Sequence, residues 1–388
     1  MKIAVFSDTF FPKTDGIVTS TLNFAQRLSN HEFTVFSPAY REKSDPDIKG
    51  MTCHRFFSVP LISYTEIKIV IPNLYRLFRL LRRNRPDIIH INTPGPMGLL
   101  GIICSKIYRI PCVGTYHTLV SEQLMYLSIA KLLRIGRFFK KKKKETLLEK
   151  LVWKGSVAMY NRCDLVIAPS KSIENVLKEH GIKKETKVIS NGIDRGLFKP
   201  KREYNKKVSR LVHVGRISYE KNIDQTIRAF ALTLKKHPSA TYTIIGDGPA
   251  LRSLKDLARE LKLDIRFLGY VPYKNLPGYY KNEDVFITAS TMETQGLVIL
   301  EAMASGLPVI GVRSYAIPDI VKNNHNGFLV RPGDIEGMSE CFNRLIENPG
   351  LVSELGQNAA RFVIHHDLNS TAALLERTYK RTVRNKSN

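Results

Sequence analysis

Short apolar runs rich in β-branched residues alternate with longer stretches of three- and four-residue periodicity along almost the whole chain. That alternation predicts β-α-β layers rather than a sandwich. In the first half the strand-like runs are residues 2–7, 32–37, 87–92, 112–116 and 165–168, with helical patterns at 17–28 and 173–180 between them. A second series, at 210–214, 241–245, 264–267, 284–288 and 308–312, follows a polar, basic stretch at 199–207 that reads as a linker. Apolar residues at helical spacing separate these strands too, as in Leu251, Leu254, Ala258 and Leu261. The fold class predicted is α/β, with two Rossmann-like, doubly wound parallel-sheet domains facing across a cleft. The expected divisions are an N-terminal acceptor and membrane domain at 1–198, a C-terminal domain at 199–365, and a final helix at 366–388. That helix either continues the second domain or crosses back to the first.

Composition narrows the class. At 388 residues the chain exceeds one ordinary core. With 43% hydrophobic and 9% aromatic residues it is not disordered. Its most apolar stretch, around 94–104, is too short and glycine-rich to span a bilayer. The opening MKIAVFSD is a strand pattern without the charged lead and cleavage site of a secretory signal. Cys53, Cys104, Cys112, Cys163 and Cys341 are scattered and lack metal-ligand spacing, which fits a reducing, cytoplasmic compartment and predicts no metal site. Charge is the strongest signal: 60 Lys+Arg against 35 Asp+Glu gives +25, and 33 basic against 16 acidic groups fall within residues 1–200. Such a field attracts nucleic acid, anionic membrane or a phosphorylated ligand.

In open parallel sheets ligands bind beyond the carboxyl ends of the strands, and the chemically unusual residues fall there. The first strand leads into Ser7-Asp8-Thr9 and then Asp15-Gly16, which opens a helix; the strand at 112–116 leads into His117. In the second series 210–214 leads to Gly215, Arg216 and Lys221, 241–245 to Gly246-Asp247-Gly248-Pro249, and 284–288 to Glu293, Thr294, Gln295, Gly296 and Leu297. Each has a plain alternative. Gly16, Gly246 and Gly248 serve equally as turn geometry, His117 as a satisfied core histidine, and Arg216 with Lys221 as a solvated pair. Two cations past a strand end nevertheless suit a diphosphate. Glu301 shares a helical face with Leu297, Leu300 and Ala304, so its carboxylate needs a partner. That partner is a buried Arg or Lys, or a pair of ribose hydroxyls. Asp45-Pro46-Asp47 sits in a charged loop away from any strand end and reads as a turn.

Together these residues resemble glycosyltransferase family 4, the retaining enzymes of the GT-B fold. ETQGLVILE at 293–301 matches that family's E-x7-E motif, AMASGLPVIG continues it, and the opening IAVFSDTFFPKTDGIVTS is similar as well. The resemblance implies a nucleotide-sugar donor bound between two Rossmann-like domains. Glu301 would hold the ribose, Glu293 the donor sugar hydroxyls, and Arg216 and Lys221 the diphosphate. His117 would contact the sugar near its reacting carbon, and Gly16 would abut the phosphate. Many members carry two glycines where this chain has Asp15-Gly16. The ETQGL form looks most like enzymes that glucosylate diacylglycerol. Implied are a hexose moved to a membrane lipid, UDP-glucose as donor, and no cofactor or obligatory metal. The alternatives are a soluble family 4 transferase extending a polysaccharide or other glycan, and a nucleotide-sugar epimerase of the same fold.

Two segments join cations to apolar stripes. In 74–83, Leu74, Leu77, Phe78 and Leu81 share one helical face while Arg76, Arg79, Arg82 and Arg83 occupy the other. In 131–150, Lys140, Lys141, Lys142, Lys143 and Lys144 form an unbroken run flanked by Phe and Leu. Five adjacent lysines repel one another, and an anionic bilayer offsets this by about 1 kcal/mol per cation. A peripheral position on the cytoplasmic membrane face is therefore expected. Nucleic-acid binding is not, since neither a stacking platform nor a helix-turn-helix pattern accompanies the charge.

Overall fold

A computed structural model describes residues 1–13, 15–40, 45–61, 64–119 and 147–387. The lysine run at 140–144 lies outside them. The chain forms two compact units, residues 1–190 with 371–388, and residues 191–370.

The first unit is built on a seven-stranded sheet of order β3-β2-β1-β6-β7-β8-β9. Its strands are β1 (Lys2–Phe6), β2 (Glu32–Pro38), β3 (Met51–Phe56), β6 (Ile88–Ile91), β7 (Cys112–Thr115), β8 (Leu165–Ala168) and β9 (Thr186–Val188). All neighbouring strands run parallel. β1, β6, β7 and β8 read as near-continuous apolar runs because helices cover both faces of the sheet. Between β3 and β6 the chain makes an antiparallel hairpin, β4 (Ser58–Leu61) with β5 (Tyr64–Val70), and then helix Leu74–Asn84. β3 and the short β9 are not marked by an apolar run, because most of their residues are only half-buried or exposed.

The second unit carries a six-stranded parallel sheet of order β12-β11-β10-β13-β14-β15. Here β10 is Arg210–Val214, β11 Thr241–Ile245, β12 Ile265–Gly269, β13 Val285–Ile287, β14 Val309–Val312 and β15 Gly327–Val330. β15 was not anticipated. Its register sets the Gly327 α-carbon against Val309, where a side chain would start 2.1 Å from the Val309 carbonyl oxygen, so the edge strand packs through a residue without apolar signal.

The stretch at 199–207 is not a linker. Phe198 and Val208 are buried in the second core, Tyr204 packs against it, and the Lys201 ammonium reaches the Glu283 carbonyl. The chain passes between the units earlier, at 190/191, so residues 191–198 belong with the second unit. The final helix, Leu368–Ser387, is counted from Thr371 onward with the first unit, where Ala372, Leu375 and Tyr379 repeat at helical spacing and enter its core. Glu376 and Lys386 reach His31 and Asp164 of that unit, at 3.1 and 2.7 Å. Among the described residues no helix is long and apolar enough to cross a membrane.

Candidate active site

In the second sheet β10 lies between β11 and β13, so the winding direction reverses there and the loops after β10 and β13 diverge from one point. The loop after β10 carries Gly215, half-buried Arg216 and, in a short 3-10 turn, Lys221. The loop after β13 carries Glu293 through Gly296. Lys221 Nζ and Glu293 Oε1 meet at 2.7 Å, with side chains 21% and 13% exposed. Burial is the largest influence and pushes the Glu293 carboxyl up, but the charge and hydrogen bond of Lys221, with smaller help from its other neighbours, together hold the group below the usual carboxylate range.

The next residue fixes this alignment. Asn222 adopts a left-handed conformation (φ 50°), and its amide donates to the Ala289 carbonyl and the Thr291 hydroxyl, each at 3.2 Å. The two loops are thereby stitched together beside the ion pair. Gly246 and Gly248 serve a related purpose. A side chain on Gly246 would start 1.8 Å from the Gly215 carbonyl oxygen, and one on Gly248 2.4 Å from that of Ile217. Ile217 N–H donates to the Asp247 carbonyl at 2.9 Å. The loops after β10 and β11 therefore interlock backbone to backbone, and these glycines shape the site by permitting that approach.

After Gly296 (φ 85°) the helix Leu297–Ala304 begins at Leu297 and buries Glu301 to 3% exposure. Neither Arg nor Lys pairs with this carboxyl among the described residues. Its Oε2 instead accepts from the Tyr280 hydroxyl at 3.0 Å. Burial pushes Glu301 up to about 7, against the opposing pull of that hydrogen bond. The carboxyl is thus an acceptor kept inside an apolar helix by one neutral donor, not half of a buried ion pair. Thr294 is half-buried on the loop and Gln295 fully buried, its Oε1 accepting from the Asn191 amide at 2.8 Å.

Spacing along the chain gives no hint of Tyr280, Asn222 or His213. His213, on β10, donates from Nδ1 to the Ile287 carbonyl at 3.1 Å, and its Nε2 is buried without a hydrogen-bond partner among the described residues. Burial lowers its pKa to about 4, so the ring is neutral near pH 7 with that nitrogen as an acceptor beneath Gly215.

His117 and Gly16 belong to the first unit. There the winding reverses between β1 and β6, and acidic groups occupy the helix starts beyond those strands. Asp15 caps helix Gly16–Arg27: one oxygen accepts from the Val18 amide at 2.9 Å and the other from the Thr9 hydroxyl at 2.8 Å. A carboxylate thus already occupies this helix end. Asp8 does the same for helix Pro96–Tyr108, accepting from Thr93 Oγ1 at 2.5 Å and the Met97 amide at 2.9 Å. His117 follows β7, and burial lowers its pKa to about 4. Below it a buried chain runs from Tyr379 of the C-terminal helix to His90 Nδ1 (2.5 Å) and from His90 Nε2 to Thr115 Oγ1 (2.7 Å).

In helix Leu74–Asn84 the arginines are exposed as expected, whereas only Leu77 and Leu81 of the apolar stripe are buried. Leu74 faces solvent because it lies in the first turn, beyond the edge of the core. Arg76 lies over the Phe56 ring at 5.2 Å and donates to the Arg55 carbonyl at 2.9 Å. Asp45 of the D-x-D stretch pairs with Arg55 at 2.6 Å.

Comparison with known proteins assigns the fold and the family. The family model Glycosyltransferase Family 4 matches residues 14–197, and Glycosyl transferases group 1 matches residues 194–362. An alpha-monoglucosyldiacylglycerol synthase of Streptococcus pneumoniae is 31% identical over 344 residues, covering 85% of this chain and 75% of that one. A protein of the same name from Acholeplasma laidlawii is 30% identical over 382 residues, 92% of each. The crystal structure of Anabaena HepE in complex with UDP-glucose superposes with a TM-score of 0.75 at 23% identity, over 98% of this chain and 99% of that one. These matches give the epimerase alternative no support. The chain has the two-domain GT-B fold and belongs to glycosyltransferase family 4; it is a glycosyltransferase.

Proposed function

We propose that the protein moves a hexose, with retention, from a nucleotide diphosphate to a hydroxyl of a membrane glycerolipid, with UDP-glucose as donor and diacylglycerol as acceptor. The observation that carries the donor half is the Lys221–Glu293 pair at the winding reversal, with the Glu301 acceptor on the helix that follows. In this reading Arg216 and Lys221 take the diphosphate, Glu293 the sugar hydroxyls and Glu301 the ribose. The glycosidic bond breaks as positive charge grows on the anomeric carbon and negative charge on the leaving diphosphate. Fixed cations bind that growing charge better than the ground state, which lowers the barrier. The acceptor hydroxyl attacks from the leaving-group face and its proton passes to the departing phosphate. The reading needs no enzymic nucleophile and no obligatory metal.

The lipid half is supported by the first unit's surface and by the names of the two synthases it resembles. Phe57 pairs across the hairpin with Ile71, and Val59 with Ile69, so all four share one face, and all four are exposed, Phe57 at 68%. The chain continues into exposed Leu74 and Tyr75, the latter 75% exposed, with Arg76, Arg79, Arg82 and Arg83 alongside. On helix Pro96–Tyr108, Leu99, Ile103 and Ile107 form a second exposed stripe at four-residue spacing, joined to the first helix where Tyr108 meets Phe78 at 6.2 Å. Apolar groups rimmed by arginine suit the headgroup layer of an anionic bilayer. A panel of UDP- and GDP-sugars, offered with vesicles of phosphatidylglycerol and diacylglycerol, tests the whole reading by mass spectrometry of the lipid. A hexosyl-diacylglycerol from UDP-glucose is expected. A product formed only on a water-soluble glycan, with no vesicle dependence, would instead support the polysaccharide alternative.

A further inference from the structure

The chain leaves the first unit at 190/191 and returns to it at 370/371. On the second-unit side these two crossing segments are joined: Ile193 bridges to Asp367, the Ile193 amide donates to the His366 carbonyl at 2.8 Å, and the Leu368 amide to the Ile193 carbonyl at 3.0 Å. A third attachment reaches the same place from the reaction loop. Gln295, 1% exposed, lies two residues beyond Glu293, and its Oε1 accepts from the Asn191 amide at 2.8 Å. Asn191 is itself buried. A hydrogen bond between two buried groups is costly to break, since a buried N–H left unmade costs about 1–3 kcal/mol.

We propose that Gln295 is a positioning residue that ties the reaction loop to both crossing segments, so that donor occupancy at Glu293 is felt at residues 191–193 and 366–368. The physical cause is an exchange of partners. In the structure Lys221 and Glu293 neutralise each other at 2.7 Å. A diphosphate that takes Lys221, and a sugar hydroxyl that takes Glu293, replace that contact with two others. The loop carrying Glu293 then shifts, and a buried hydrogen bond two residues on carries the displacement to Asn191. Through Ile193 the displacement reaches the returning segment. Glutamine suits this task because its side-chain carbonyl oxygen is long enough to reach a buried backbone amide and accepts from it.

This inference rests on the donor reading above, and the test separates the two. Hydrogen exchange is followed by mass spectrometry in the full-length protein with and without UDP-glucose, for wild type, Gln295→Leu and Gln295→Glu. In the wild type the donor should slow exchange at 215–221 and 293–296 and also at 189–194 and 365–369. In Gln295→Leu the first two regions should still respond while the last two do not, with kcat lower by about tenfold and donor affinity changed less than about threefold. Gln295→Glu keeps an acceptor oxygen at the same reach and should restore the response at 189–194. A donor effect at 189–194 that survives in Gln295→Leu overturns the inference. So does failure of Gln295→Glu to restore it in a protein that melts like wild type. No protection anywhere in the wild type would overturn the donor reading, and this inference with it.

Discussion

Glu301 is an acid placed where an apolar residue would pack, and among the described residues its side-chain partner is a phenol. Because burial raises its pKa from 4.5 to about 7, the folded chain prefers the protonated form. Its contribution to stability is therefore fully present below about pH 4.5 and is lost as pH rises through 7. Urea unfolding at successive pH values should show this slope in the wild type and a flatter one in Glu301→Gln. Ribose hydroxyls would be donated to the ionised carboxylate, so UDP affinity measured by calorimetry should fall as pH is lowered through 7. A pH-independent affinity would remove Glu301 from nucleotide binding. Both glutamates are legible as a pair, because their spacing sets one on a loop and the other on the following helix. Their partners are not. Lys221 comes from 72 residues upstream of Glu293 and Tyr280 from another helix, and only the sheet order brings them together.

Among elements, the central strands are readable because parallel strands covered on both faces are almost wholly apolar. The edges are less so. β3, β9 and β15 each pair on one side only, and most residues of β3 and β9 are half-buried or exposed. Interlocking loops escape sequence reading altogether, since a glycine that shapes a turn and one that admits a neighbouring backbone look alike. The structure separates them. Gly246→Ala and Gly248→Ala force a methyl group into backbone at 1.8 and 2.4 Å and should each cost about 2 kcal/mol or more, together with donor affinity. Gly278, in helix Leu276–Asn282, meets nothing within 4 Å, so Gly278→Ala should be neutral or stabilising by up to about 1 kcal/mol. Thermal melts of the three variants check both halves of the comparison.

At the scale of the molecule, the last helix completes a core that the first residues begin. Leu375 and Tyr379 are buried against Ile3, Val5 and Phe33 in one cluster, and each large buried side chain stabilises by roughly 1.5–3 kcal/mol. Removing residues 371–388 should therefore lower the melting temperature of the first unit by about 10 °C or more and leave the second unit's transition nearly unchanged. The chain's one tryptophan, Trp153, reports on the first unit, where it stacks on His180 at 3.7 Å and on Tyr116 at 5.8 Å, so fluorescence follows that transition selectively. A single unshifted transition would contradict the division.

What the amino-acid order determined by itself was local: which runs extend, which coil, and which acids and cations must lie at strand ends. Those follow from periodicity and short-range sterics, which neighbouring residues control. Tertiary structure decided the pairings. It set Lys221 on Glu293, gave Glu301 a phenol instead of a cation, turned residues 199–207 from a linker into packing, and returned the C-terminus to the first sheet. Each of these rests on contacts between residues tens to hundreds apart in sequence. Strand order and side-chain fit choose such contacts, and no local pattern encodes them.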